Sequence, residues 1–289
     1  MPGIPKLYKK RKTMSNLFVR SATGVVFVAV MVAGLLLSPY AFGALFLVIM
    51  AVAMQEFYAM SLKGAFVIQQ KMALLAAAAF FTVILCHEMF ALDIRWLCAG
   101  LIPLMAMIVS TVTMADRGNL SDLAFVFTAM VYIGVPMCLS PFLVFGPSGF
   151  DGLPLLCLFI IIWASDVGAY CVGTALGQRA GARKLAPSIS PKKSWWGFWG
   201  GIAFGVLAAV VLHFTGLMPY GIWHSLALGI LISVAGVMGD LFESVWKRWF
   251  GVKDSGNCIP GHGGMLDRFD SSLMAIPVAV VYLAFFGLI

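Results

Sequence analysis

The chain has 289 residues, of which 62% are hydrophobic and 11% charged. A soluble domain carries about 25% charged residues, so this composition, with a mean hydropathy of +0.99, excludes an ordinary soluble enzyme and points to a polytopic membrane protein. The net charge of +7 would suit a nucleic-acid binder, but the basic residues are placed as a membrane protein places them, so no nucleic-acid partner is expected.

The chain opens on a basic arm, residues 1–18, with Lys6, Lys9, Lys10, Arg11 and Lys12, and Arg20 just beyond it. A secretory signal would join such an arm to a short apolar run and a small-residue cleavage site. Here the run Ser21 to Leu37 is long enough to span and leads into a second apolar run, which predicts an uncleaved first helix. The remainder, residues 19–289, reads as a single all-α membrane domain with about nine spans: 19–38, 41–61, 71–87, 95–114, 121–145, 153–173, 196–214, 221–245 and 271–288. Nine spans of roughly 20 residues leave room for little else. Pro136 and Pro141 predict a kink or break in the fifth span.

Orientation follows from charge. With the N-terminus in the cytoplasm, every one of the 19 Lys and Arg residues except Arg95 falls in the arm or in a cytoplasmic connection, including Lys63, Lys71 and Arg117. That is the positive-inside pattern. The same residues would face anionic headgroups and phosphorylated ligands. The two long polar segments, 174–195 and 246–270, are then cytoplasmic. The six cysteines form no CxxC pair and read as small apolar filler; spacing leaves open whether Cys86 and Cys98 pair across an external loop.

Acids inside a membrane are expensive and are functional candidates. Glu56, Asp166, Asp240 and Glu243 fall near the cytoplasmic ends of spans two, six and eight. Glu56 reads equally as a site residue or as an interfacial side chain reaching water. Asp240, Glu243, Ser244 and Lys247 stand at i, i+3, i+4 and i+7, on one helical face. Two acids, a hydroxyl and a lysine suit a cavity that binds a metal and a phosphate. The next segment holds Lys247-Arg248, Lys253-Asp254, His262-Gly263-Gly264 and Asp267-Arg268-Phe269-Asp270. Glycines let backbone N–H groups approach an anion, Lys and Arg neutralise phosphate, and Asp supplies the hard oxygens that Mg²⁺ prefers. His262 reads as a phosphate contact, a proton carrier or a turn-stabilising side chain. Segment 174–195 carries Ser190-Pro191-Lys192-Lys193, which reads as a lipid-headgroup anchor or, beside the other loop, as a second phosphate clamp, and Trp195, Trp196 and Trp199 suit the interfacial aromatic belt.

The run from Ser244 through Lys247-Arg248, Lys253-Asp254 and Ile259-Pro-Gly-His262-Gly-Gly-Met-Leu-Asp267-Arg268-Phe-Asp270 resembles the signature of the phosphatidate cytidylyltransferases, or CDP-diacylglycerol synthases. Asp166-Val-Gly-Ala-Tyr170 and Lys184 to Lys193 resemble the same family, and Gln55-Glu56-Phe57-Tyr58 does so more loosely. One position departs: where the family has an aromatic, an acid and a glycine, this chain has Trp195-Trp196-Gly197, so Trp196 replaces the acid.

The resemblance implies an integral protein of the cell membrane, with its active site facing the cytoplasm. It would transfer CMP from CTP to phosphatidic acid, giving CDP-diacylglycerol and pyrophosphate in phospholipid biosynthesis. It implies Mg²⁺, with a second cation as an option, held by Asp240 and Asp267 with Ser244 as helper. Lys192, Lys193, Lys247, Arg248 and Arg268 would hold phosphates, with Ser190, Lys253, Gly263 and Gly264 contributing to the substrate site. Asp166 would orient CTP or complete the metal shell, and Asp254 and Asp270 would organise the loop. The resemblance also makes a homodimer the assembly to test. A CTP-dependent polyprenol or lipid-alcohol kinase, which shares part of the Gly-rich pattern, is the alternative enzyme. A transporter is disfavoured because charge is confined to one side and no internal repeat is present.

Overall fold

Backbone N–H and C=O groups inside a bilayer must be satisfied within the chain, which restricts a chain this apolar to helices across the membrane. The computed structural model describes the backbone of residues 6–113, 120–259 and 263–289, and side chains from Ser21 onward. Arg117 and His262 lie outside the described residues. Among the described residues the long helices are α1 (Lys6–Leu36), α2 (Pro39–Leu62), α3 (Val67–Phe90), α4 (Ile94–Val112), α5 (Leu120–Leu143), α6 (Leu153–Ala175), α7 (Trp195–Phe214), α8 (Ile222–Trp249) and α9 (Leu266–Phe285). Eight of them, α2 to α9, are long and apolar enough to cross a membrane, and the described apolar stretch of α1 is Ser21–Leu36. The protein is an all-α polytopic membrane protein.

Each predicted span has its helix, and the differences lie at the ends. The helical backbone of α1 starts at Lys6, so the basic arm continues the first helix. Helix α8 runs to Trp249 and α9 starts at Leu266, which shortens the expected loop 246–270 from both sides. Lys247 and Arg248 thus sit in the last turn of α8, and Asp267 in the first turn of α9. Both placements suit the helix dipole, with cations at the C-terminus and an acid at the N-terminus. Charged residues read as loop on hydropathy alone, although a dipole-compatible turn accommodates them.

Helix α5 is interrupted as expected. A π turn, Met130–Gly134, ends two residues before Pro136, and a 3₁₀ turn, Ser140–Leu143, contains Pro141. Proline donates no hydrogen bond and its ring crowds the preceding turn, which the wider turn relieves. The segment 174–195 is not all loop: β1 (Lys184–Ala186) and β2 (Ser190–Ser194) form an antiparallel hairpin with Lys184 opposite Ser194. Ser194 then caps α7 by accepting from the Gly197 N–H at 3.2 Å. All six cysteines are free, including Cys86 and Cys98.

Helices α6, α7, α8 and α9 pack consecutively against one another. The α8–α9 crossing is close: a Cβ on Gly239 would lie 2.3 Å from the backbone oxygen of Asp270. Only glycine permits this approach, and it sets Asp240 beside Asp270. Behind the crossing, Trp246 meets Phe57 of α2, Phe125 of α5 and Phe242 edge-on and stacks on Phe250. Tyr58 donates to the Val126 carbonyl at 3.3 Å. These aromatic contacts fix the C-terminal end of α2 against α5 and α8.

Candidate active site

The C-terminal ends of α6 and α8, the start of α9 and strand β2 surround a cavity of about 800 Å³. Asp166 of α6, Asp240 of α8, and Asp267 and Asp270 of α9 line it, with Asp254 from the connecting loop. Lys192 and Lys193 enter from β2, Lys247 from α8 and Arg268 from α9. Residues separated by a hundred positions in the chain are thus gathered by the helix ends that carry them.

Three ion pairs made by two lysines organise these charges. Lys193 Nζ lies 2.6 Å from Asp240 Oδ2. Ser244 Oγ donates to the other oxygen of Asp240 at 3.4 Å. Lys247 bridges two acids, Glu243 on its own helix and Asp267 Oδ1 at 2.8 Å. Glu243 is fully buried, so this lysine holds the α8–α9 junction as well as lining the cavity. The i to i+7 stripe predicted on α8 is present as two i, i+4 pairs, with Ser244 on Asp240 and Lys247 on Glu243.

Asp267 is the most tightly held carboxylate. Its oxygens accept from Lys247, from the Ser255 N–H at 3.1 and 3.2 Å, and from the Gly264 N–H at 2.8 Å. A carboxylate offers about four acceptor sites, and three donors, one of them shared between both oxygens, occupy them and orient the group. Gly263 and Gly264 therefore serve the site through backbone, Gly264 by its N–H and Gly263 by a left-handed turn (φ 86°) beside Asp267.

Other expected site residues fall elsewhere. Arg248 donates to the Ile189 and Val252 carbonyls, which ties the β1–β2 hairpin to the end of α8 rather than reaching the cavity. Ser190, Lys253 and Ser244 do not line the cavity. Lys184 donates to the Gly177 carbonyl and to Gln178. Trp196 is exposed on the first turn of α7 and is absent from the cavity lining, so its replacement of an acid leaves the carboxylates of the cavity untouched. Tyr170 and Thr174 join Asp166 on the lining. Their i, i+4 and i+8 spacing on α6 was a readable signal. Ser255 was not readable, because nothing distinguishes one loop serine from another.

A second chamber of about 230 Å³ abuts the first and shares Asp166, Asp267, Arg268, Asp270 and Ser271 with it. Its remaining wall is largely apolar: Phe27 and Val28 of α1, and Phe159, Ile162 and Trp163 of α6. A polar and a mostly apolar chamber thus meet at one group of carboxylates and an arginine.

Residues 18–286 match the model of the Cytidylyltransferase family. The chain belongs to that family. The phosphatidate cytidylyltransferase of Staphylococcus epidermidis is 39% identical to it over 186 residues, 64% of this chain and 68% of that protein. The phosphatidate cytidylyltransferase of Bacillus subtilis is 38% identical over 191 residues, 65% of this chain and 68% of that protein. The enzyme of the same name from Staphylococcus aureus is 37% identical over 174 residues, 60% of this chain and 64% of that protein. Membership of the Cytidylyltransferase family makes the chain a membrane-embedded nucleotidyltransferase, which agrees with the resemblance read from Ser244 to Asp270.

Proposed function

We propose that the chain is a phosphatidate cytidylyltransferase that joins CTP to phosphatidic acid. The observation that carries this reading is the meeting of the two chambers at Asp166, Asp267, Arg268, Asp270 and Ser271. A nucleotide and a two-chain lipid need different solvents, and their phosphates must meet at one point. The larger, charged chamber suits CTP. The smaller chamber suits the lipid's glycerol ester region, with its phosphate directed at Arg268.

The reaction itself needs positioning more than bond-making side chains. An oxygen of the lipid phosphate attacks the α-phosphorus of CTP, the α–β bridging bond breaks, and pyrophosphate leaves. A phosphate of this kind loses its second proton near pH 6, so no strong base is required. Lys192 and Arg268 would hold phosphate oxygens in line. Lys193 and Lys247 are engaged by Asp240 and Asp267 and would mainly keep those acids aimed.

Five aspartates and four basic residues line the larger chamber. Two phosphate-bearing substrates would not enter so acidic a site unless cations accompanied them. Among the described residues no group of three or more His, Cys, Asp or Glu side chains is arranged to hold a metal ion. Mg²⁺ usually takes one or two carboxylates and completes its shell with phosphate and water, and the donor set fits that pattern. Asp240 and Asp267 would be the protein ligands, with Asp166 beside them. When bound, the ion would neutralise charge on the phosphates that meet there. The reading places the protein in the cytoplasmic membrane, and the positive-inside pattern supports a site that faces the cytoplasm. A homodimer is the assembly to test.

The test is a product assay on detergent-purified protein with CTP, phosphatidic acid and Mg²⁺. Pyrophosphate and CDP-diacylglycerol are expected, and EDTA should abolish both. Release of CDP with a newly phosphorylated lipid alcohol would replace this reading with the lipid-kinase one.

A further inference from the structure

The glycine-rich connection between α8 and α9 is anchored at its base by a residue from the other end of the chain. Glu56, near the C-terminal end of α2, accepts the Leu266 N–H at 2.9 Å and the Ser255 hydroxyl at 3.4 Å, both on Oε2. Leu266 is the first residue of α9, so the carboxylate sits where the helix dipole favours negative charge. Ser255 gives its N–H to Asp267 and its hydroxyl to Glu56. Two carboxylates therefore hold the connection from opposite directions, Asp267 from within α9 and Glu56 from α2. The loop also closes on itself through the Ile259 N–H to the Gly263 carbonyl at 3.0 Å.

Two glycines are explained by this contact. A Cβ on Gly256 would lie 2.4 Å from Glu56 Oε1, and one on Gly264 would lie 2.5 Å from Glu56 Oε2. Both glycines leave the space into which the Glu56 carboxyl is inserted. The inserted group cannot drift, because the next two residues, Phe57 and Tyr58, are buried against Trp246 and hydrogen-bonded to α5. Asp254, which lines the larger chamber, directly precedes Ser255. Whatever fixes Ser255 therefore fixes the approach of Asp254 and the orientation of Asp267.

We propose that Glu56 is a positioning residue that clamps the base of the 255–264 connection and thereby holds Asp267 and its backbone donors in the geometry used for turnover. It acts as a hydrogen-bond acceptor and touches neither substrate. The inference rests on the cytidylyltransferase reading for its activity readout, but the clamp itself can be read without turnover.

The experiment compares Glu56→Gln, Glu56→Ala, Gly256→Ala and the double variant Glu56→Ala/Gly256→Ala in the full chain. Glutamine keeps an acceptor oxygen in place, so Glu56→Gln is expected to retain about a third or more of the turnover. Glu56→Ala leaves two donors without their acceptor and should lower kcat by about 10- to 100-fold, with KM for CTP and for phosphatidic acid within about threefold. Gly256→Ala displaces the carboxyl and should show a similar loss. In the double variant the clash is gone, so the two losses should not multiply. Amide exchange at Gly264 and Leu266 should rise in Glu56→Ala irrespective of activity.

A Gln variant as impaired as the Ala variant would make the charge itself essential and overturn the clamp. So would multiplicative losses, or unchanged exchange at Leu266. If Glu56→Ala does not yield folded protein, Ser255→Ala removes one of the two contacts, and unchanged exchange at Gly264 and Leu266 there overturns the proposal equally. Wild-type protein that makes no CDP-diacylglycerol, together with raised exchange in Glu56→Ala, would sink the enzyme reading and leave the clamp standing.

Discussion

Asp267 and Lys247 form one ion pair and are tested by different measurements. Asp267 is held by three donors from three places, Lys247, Ser255 and Gly264. Groups that orient a functional carboxylate in this way are half of what makes it effective. Asp267→Asn puts an amide N–H₂ where one of those donors now points. Turnover should fall by about 10²- to 10³-fold while the amount of protein extracted from membranes is unchanged; near-normal turnover would remove Asp267 from the metal set.

Lys247 answers to a different measurement. Fully buried Glu243 has it as the cation at hand, and Glu243 Oε1 has no hydrogen-bond partner among the described residues. Removing one member of a buried pair strands the other, at about 3–5 kcal/mol. Lys247→Met should therefore lower the thermal midpoint in detergent clearly, and adding Glu243→Gln should recover at least half of that loss. A midpoint unmoved by the single substitution would mean the network carries no stability.

At the level of helices and turns, the site depends on how closely α8 and α9 cross. Gly239 has the backbone of Asp270 where its side chain would be. Gly239→Ala forces the helices apart, an overpacking that costs about 1–3 kcal/mol, and separates Asp240 from Asp270. Both stability and kcat should fall. Gly146→Ala, whose added Cβ meets nothing within 4 Å, is the matched control and should leave both unchanged. Equal behaviour of the two variants would show that the crossing tolerates a wider spacing. The β1–β2 hairpin illustrates a different element-scale point. Its sequence, rich in Lys, Ser and Pro, reads as juxtamembrane loop, and only the pairing of Lys184 with Ser194 turns it into a wall that delivers Lys192 and Lys193 to the cavity.

For the whole molecule, the orientation is the remaining expectation, and the free thiols test it. Cys98 at the start of the regular part of α4 and Cys258 in the α8–α9 connection are both exposed. With the active site facing the cytoplasm, a membrane-impermeant thiol reagent applied to intact cells should label a variant retaining only Cys98. A variant retaining only Cys258 should be labelled only after permeabilisation. The reverse pattern would invert the topology.

Composition and hydropathy alone determined the class and the approximate limits of the long apolar segments, because a bilayer demands one length and one chemistry of every span. The run from Ser244 to Asp270 carried the family, because its Gly, Asp and basic residues lie close together in the sequence itself. Roles within that run were not legible. Arg248 and Arg268 look alike in the sequence, yet one ends on carbonyls and the other in both chambers. Glu56 was legible as an acid near a helix end within a loose family resemblance, without a role. Its partners lie 199 and 210 residues away, and no local pattern encodes a contact of that range. The distinction between the carboxylates that line the cavity and those that lie behind it was decided by tertiary packing, where the close approach at Gly239 and the insertion beside Gly256 assign each acid its neighbours.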